Sequence, residues 1–327
     1  HCRSLTVSAD EPEKVAPRVS LDRIVSQLEN DPISGKTTCA FYIQKLCGCG
    51  DLLYVAKLLS ILREKGMYLS PSIYHIVMTA AGEKSDFEFV SRVFKDLLLS
   101  CGYSLPQTSY SILAKAFLSS TDAIHLLNFV REVSELVPPK NATFINKIIY
   151  GFAVSRQIDK GLLIFHHIKN LKCKQDIFTY NIVLDILGRA GRIDEMLHVF
   201  DSMNEMANVV PDTVTYNTVI NSLRTTRRLD LCLFFTKEMG DKGLEPDLRT
   251  YSSLIESFGR SGRVEEAMKL LEEMKKREIR PSIYIYRALI SNLKKVGKLN
   301  LAASLSDEMN SCISDLVSSK DFKGKIR

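Results

Sequence analysis

The chain of 327 residues contains no tryptophan, 8 cysteines and 10 prolines. The cysteines stand at positions 2, 39, 47, 49, 101, 173, 232 and 312. That is too sparse for a disulfide scaffold, and the spacings lack the pairs of a metal site, so they are expected to be reduced and mostly buried. No apolar run approaches the roughly 18 residues of a membrane-spanning helix, so no membrane contact is expected. Also missing are a Gly-rich phosphate loop and a Gly-x-Ser-x-Gly elbow. His166-His167 has no cysteine or carboxylate at metal-ligand spacing and reads as a surface or packing pair. The chain is therefore expected to be no enzyme and to hold no metal and no cofactor.

What is present is an ordinary composition, 45% hydrophobic and 25% charged, with a formal net charge of +6. The charge is uneven: His1 to Asp212 carries 23 basic and 23 acidic residues, and Thr213 to Arg327 carries 21 and 15. The whole excess falls in the last third, which suits a surface that faces a polyanion and equally suits a solvated helical face. The chain begins at His1 without an initiator methionine, as expected where an upstream segment such as a targeting peptide is missing from the sequence.

Length alone would suggest two or three domains, but internal repetition overrides that prior. An aromatic or apolar residue recurs at Tyr74, Tyr110, Ile145, Tyr180, Tyr216, Tyr251 and Tyr286, with spacings of 35 or 36. Met203, Met239, Met274 and Met309 keep the same spacing. Turn signals close each unit at Gln175-Asp176, Pro211-Asp212, Pro246-Asp247 and Pro281-Ser282. Within a unit the pattern is helical twice. Tyr180, Val183, Leu184 and Leu187 share one helix face before Gly191, and Met196, Leu197, Phe200 and Met203 share another before Pro211. Gly262 and Gly297 repeat the role of Gly191 at the turn, and Ala267 and Ala302 are small enough for close helix contact. The Met series and the pairs Phe87/Phe89 and Phe234-Phe235 read as core filling.

A single hairpin cannot bury both of its apolar faces, so neighbours stack into an α-solenoid. The repeats are placed at 36–70, 71–106, 107–141, 142–176, 177–212, 213–247, 248–282 and, degenerate, 283–317. Residues 1–17 are expected to be a disordered leader, and 18–35, with Val19, Ile24, Val25 and Leu28, a capping helix. Residues 318–327 form a basic tail with Lys320, Lys323, Lys325 and Arg327.

The segments Thr213-Val-Thr-Tyr-Asn-Thr-Val-Ile220 and Gly262-Arg-Val-Glu-Glu-Ala-Met-Lys-Leu-Leu-Glu-Glu-Met274 resemble the pentatricopeptide repeat (PPR) family. The tetratricopeptide repeat, with a period of about 34 and a Trp-Leu-Gly-Tyr signature, fits less well. The resemblance implies an all-α fold, a right-handed α-solenoid superhelix of about 8 helix-turn-helix repeats of 35–36 residues. It is to the plain class, without an editing or nuclease domain. The deaminase domain of editing members needs a His-x-Glu and a Cys-x-x-Cys pair; the sequence has only Cys47-Gly-Cys49 and no residues left after the repeats for that domain or for a metallonuclease.

The resemblance further implies binding of single-stranded RNA in an organelle, one base per repeat, read mainly by two side chains. The implied base-reading pairs are Ser111 with Asn141, Asn146 with Asp176, Asn181 with Asp212, Asn217 with Asp247, and Ser252 with Ser282. Ala40/Ser70 and His75/Pro106 match no reading, and Arg287 departs as well. An Asn amide can match a carbonyl and the ring N–H of uracil, with a nearby Asp orienting the contact through water. In the family Asn/Asp favours U and Ser/Asn favours A, so the expected RNA is U-rich, 5′-A-U-U-U-3′ across 107–247. Base-stacking places fall at Thr143, Phe178, Val214, Arg249 and Tyr284, and phosphate contacts at Arg189, Arg224, Arg260, Lys294 and Lys295. Purely structural roles stand beside these: Asp212 and Asp247 as helix N-caps, the Asn residues as helix-start residues, the cations as C-terminal dipole partners. The implied role is RNA processing, splicing, stability or translation in a mitochondrion or, as the alternative, a plastid. The competing function is a scaffold subunit of an organellar ribosome or ribonucleoprotein complex, working through protein partners.

Overall fold

The structure, a computed structural model, describes residues 26, 30–102, 104–119, 123–136, 142–168, 175–205 and 209–311. The expected leader, the residues Val19, Ile24, Val25 and Leu28, the candidate reader Asn141 and the basic tail lie outside the described residues. Among the described residues the fold is all-α, with 16 main helices in hairpins. It is the α-solenoid class, built in two compact units, His1–Lys174 and Gln175–Arg327.

The N-terminal unit holds four hairpins: α1 (Pro32–Cys49) with α2 (Leu52–Glu64), α3 (Pro71–Glu83) with α4 (Phe87–Ser100), α5 (Gln107–Ala116) with α6 (Ala123–Leu136), and α7 (Ala142–Val154) with α8 (Ile158–Ile168). The first helices pack in sequence, α1 on α3, α3 on α5 and α5 on α7. Their close approach is made by small residues. A Cβ on Gly82 would stand 2.6 Å from the Ala116 backbone, so only glycine fits there without a shift. Asp96 is buried and receives a forked bond from Arg63, Nε at 2.8 Å and Nη2 at 2.6 Å, which ties α2 to α4.

The C-terminal unit repeats the design with α9 (Ile177–Arg189) and α10 (Ile193–Glu205), α11 (Thr213–Thr225) and α12 (Leu229–Asp241), α13 (Leu248–Arg260) and α14 (Val264–Lys276), and α15 (Ile283–Lys295) and α16 (Leu299–Ser311). Here too α9 packs on α11, α11 on α13 and α13 on α15. Each first helix ends in a left-handed residue, as at Gly262 with φ of 81°, and the next N–H turns back to the helix, Arg263 to Phe258 O at 3.0 Å. Arg227 holds the same place without being glycine, at φ of 62°.

The tyrosines at the repeat period are buried between the helices of each hairpin. Three of their hydroxyls are satisfied across the hairpin: Tyr216 donates to Glu238 at 2.9 Å, Tyr251 to Glu273 at 3.2 Å and Tyr286 to Glu308 at 2.7 Å. Met203, Met239 and Met274 are fully buried, as are Ala267 and Ala302. Two expectations need correction. Phe234 is 59% exposed and only Phe235 enters the core, because adjacent helical residues point about 100° apart. Of the described cysteines, which are all free, only Cys39 and Cys232 are buried; Cys49 is exposed. Burial pushes the Cys39 thiol up to about 11 and that of Cys232 up to about 12. No helix among the described residues is long and apolar enough to cross a membrane.

Candidate nucleic-acid interface

In the C-terminal unit each first helix starts at an acidic or hydroxyl N-cap. Asp176, Asp212 and Asp247 accept the N–H of Thr179, Thr215 and Thr250, each at 2.8 Å, and Ser282 accepts that of Ile285 at 3.3 Å. The threonine hydroxyls complete the motif: Thr179 and Thr215 also receive the backbone N–H of Asp176 and Asp212. Capping is thus one role of these aspartates.

A second contact, through a threonine hydroxyl, joins Asp212 and Asp247 to the asparagines paired with them. Asn181 lies just over one turn into α9, beyond the reach of capping, and its Oδ1 accepts from Thr215 Oγ1 at 2.7 Å. The same hydroxyl is 2.8 Å from Asp212 Oδ1. One repeat on, Asn217 Oδ1 accepts from Thr250 Oγ1 at 2.8 Å, and that hydroxyl is 2.8 Å from Asp247 Oδ1. Asn181 and Asp212 therefore converge on one atom, as do Asn217 and Asp247. The N–H donors of both amides and the second oxygen of both carboxylates are left for a ligand. Together they offer a donor and an acceptor side by side.

The other candidate readers are arranged differently. Ser252 donates to Leu248 O in its own helix at 2.6 Å, and Ser282 is buried, with Ile285 where Thr215 and Thr250 stand in the preceding hairpins. The structure therefore does not join Ser252 to Ser282. Asn146 is 5% exposed. Ser111 donates weakly to Gln107 O at 3.4 Å. His75, which matched no reading, shares a proton with Ser109 Oγ at 2.8 Å, the same contact from one first helix to the next. Burial lowers its pKa, and a cleft of about 380 Å³ beside it is lined by Gln44, Cys47, Ile76 and Thr79.

The stacking candidates share the second position of their helices and are all exposed: Phe178 at 69%, Val214 at 58%, Tyr284 at 59%, and Thr143 and Arg249 as well. Tyr284 donates to Glu256 Oε1 at 3.0 Å, which with that carboxylate's charge raises the phenol pKa. The cationic candidates occupy the last turns of the first helices. Arg189 pairs with Asp185 at 2.9 Å and Arg260 pairs with Glu256, whereas Arg224 donates to neutral Asn221 at 2.7 Å. Lys294 and Lys295 are exposed.

The residues that sequence reasoning passed over are Thr215 and Thr250. Their signal was the Thr-Tyr-Asn and Thr-Tyr-Ser triplets at 215–217 and 250–252. The contact itself spans 33 or 34 residues and is invisible to any local pattern. Among the described residues no cluster of His, Cys, Asp or Glu is placed to hold a metal ion.

Helical hairpins stacked with polar side chains in register define a helical repeat protein. Family models for the PPR repeat match residues 214–244 and 242–275, the PPR repeat family 175–225, and the pentatricopeptide repeat domain 269–310. The chain belongs to the pentatricopeptide repeat family. It is 42% identical over 221 residues, 67% of its length, to the pentatricopeptide repeat-containing protein At1g11900 of Arabidopsis thaliana, and spans 60% of that relative. A second Arabidopsis thaliana relative, At1g15510, named chloroplastic, is 25% identical over 48% of this chain and 19% of its own. The fold is similar to the crystal structure of PPR10 from maize, with a TM-score of 0.51 and 18% identity over 94% of this chain and 44% of that one.

Proposed function

We propose that this protein binds single-stranded RNA with base selectivity in an organelle, mitochondrion or plastid, and so supports RNA processing, splicing, stability or translation. The role is non-catalytic: an array that holds a segment single-stranded blocks a nuclease or keeps a site open. The observation that carries the reading is the repeated junction of Asn181 with Asp212 and of Asn217 with Asp247, two equivalent polar sites one repeat apart. Each site matches uracil, whose carbonyl takes a donor beside a ring N–H that needs an acceptor. Adjacent U bases are the proposed core of the target, within the wider 5′-A-U-U-U-3′ expectation. Phe178, Val214 and Arg249 flank the two sites and offer surfaces against which the bases stack, worth about 1–3 kcal/mol per base for an aromatic partner.

The test is equilibrium binding of the purified protein to RNAs containing AUUU or AGGG at moderate salt, repeated with Asn181→Thr plus Asn217→Thr. Preference for AUUU that the double substitution removes is the expected result. Equal affinity for both RNAs, unaltered by the substitutions, would assign the chain to the scaffold role instead.

A further inference from the structure

The two residues of each proposed reading site do not touch each other; a hydroxyl on the following first helix holds them. We infer that Thr215 and Thr250 are positioning residues that set base selectivity by fixing which end of the Asn181 and Asn217 amides faces the RNA. The inference rests on the RNA-binding reading and adds a third member, from the neighbouring helix, to each site.

The geometry leaves a primary amide few options. A carboxamide is nearly symmetric in shape, and rotation by 180° exchanges its oxygen for its NH2. In water-exposed surroundings both orientations are populated. At Asn181 the oxygen is held 2.7 Å from Thr215 Oγ1, and at Asn217 it is held 2.8 Å from Thr250 Oγ1. The Thr215 hydroxyl is itself anchored by the Asp212 backbone N–H, which it accepts at 3.2 Å, and its single proton lies between two acceptors, Asn181 Oδ1 at 2.7 Å and Asp212 Oδ1 at 2.8 Å, in a three-centre bond. With the oxygen engaged, the amide presents its N–H donors.

The consequence concerns uracil against cytosine, which have the same size and stack alike. Uracil shows a ring N–H flanked by two carbonyls, so an amide donor beside a carboxylate acceptor fits either flank. Cytosine replaces that N–H with an acceptor and one carbonyl with an amino donor. Held in the same place on its stacking surface, cytosine turns its ring N3 acceptor to the carboxylate, and on one flank its amino group to the amide N–H as well; it matches only by sliding one edge position. Once the amide is free to turn, it can offer its oxygen to the cytosine amino group, and discrimination falls.

The remaining hairpins show that the position matters. Where Ile285 replaces the threonine, Ser252 turns back to its own helix and meets nothing from the next. Where Ser109 stands there, its hydroxyl reaches back to His75 at 2.8 Å. Where Ser109, Thr215 or Thr250 stands third in its helix, the hydroxyl reaches the reader position of the hairpin before it.

A structural role for these threonines is separable. The Thr215 and Thr250 backbone N–H bonds to the aspartates, both 2.8 Å, do not need the side chain. The experiment compares affinities for U-run and C-run RNAs of equal length for the wild type, Thr215→Val plus Thr250→Val, and the serine pair, with urea unfolding of each. The wild type is expected to prefer U by about tenfold per site. The valine pair is expected to lose the amide's share of that preference, from about tenfold to about threefold per site, while the carboxylates still oppose the ring acceptor of cytosine, and the serine pair to keep the full preference. Each single valine variant relaxes one of two adjacent positions, which keeps the test usable should the double variant unfold. A valine pair that is folded and keeps the full preference for U overturns the inference and leaves the RNA reading standing. A wild type with no preference for U overturns that reading and the inference with it.

Discussion

Asp212 caps α11 and faces a proposed base, and two substitutions separate those roles. Asp212→Ala removes the oxygen that accepts the Thr215 N–H at 2.8 Å and lies 2.8 Å from its hydroxyl. Loss of such a cap costs about 1 kcal/mol, and loss of a negative charge at a helix N-terminus about 0.5 kcal/mol more. With a urea slope of about 2 kcal/mol per molar, the unfolding midpoint falls by about 0.7 M. Asp212→Ser keeps an oxygen at the cap and loses only the charge, about 0.5 kcal/mol. Both variants lack the carboxylate proposed to accept the uracil N–H, so both are expected to bind U-run RNA about tenfold more weakly. Urea titration by far-UV circular dichroism and fluorescence anisotropy with labelled RNA give the two readouts. A serine variant that binds like the wild type, beside an alanine variant that does not, would refute the reasoning and leave Asp212 as a cap alone.

Gly82→Ala adds a carbon 2.6 Å from the Ala116 backbone and is expected to destabilise the N-terminal unit by about 1–3 kcal/mol despite better helix propensity, read as a lower urea midpoint. Burial holds the His75 pKa below its usual 6.5, so the unfolded chain binds this proton more readily. Stability from this group is full at neutral pH and declines as pH falls below about 6.5 until the folded imidazole also protonates; unfolding at pH 7 and 5.5 should show a loss that Asn at position 75 reduces. With Arg189 and Arg260 engaged by carboxylates, the three remaining cations give a slope of log K against log salt of about −2. Asp185→Asn with Glu256→Gln frees both arginines and should steepen it toward about −3.5; an unchanged slope removes them from the interface.

The periodic features were legible because they are local. Tyr, Met and turn residues at a constant spacing report the core face and the ends of each helix, and the structure places Tyr216, Met239 and Asp212 accordingly. What stayed hidden depends on contact between repeats or on helix rotation. Thr215 meets Asn181 across 34 positions, and Arg63 meets Asp96 across 33. Phe234 and Phe235 are equally apolar in sequence, and only the rotation of α12 decides that one is buried. Ser252 stands in the register of the asparagines before it, but Ile285 denies it the partner from the next helix, which its own repeat does not reveal.

The central claim is that Asn181 with Asp212, and Asn217 with Asp247, read adjacent bases of a single strand. Selection from a random RNA pool by the purified protein, with sequencing of the bound fraction, measures this most directly. The account predicts an enriched U-U step that Asn181→Thr and Asn217→Thr each erase at one position. A bound pool as random as the input, or a U-U step indifferent to both substitutions, would contradict it.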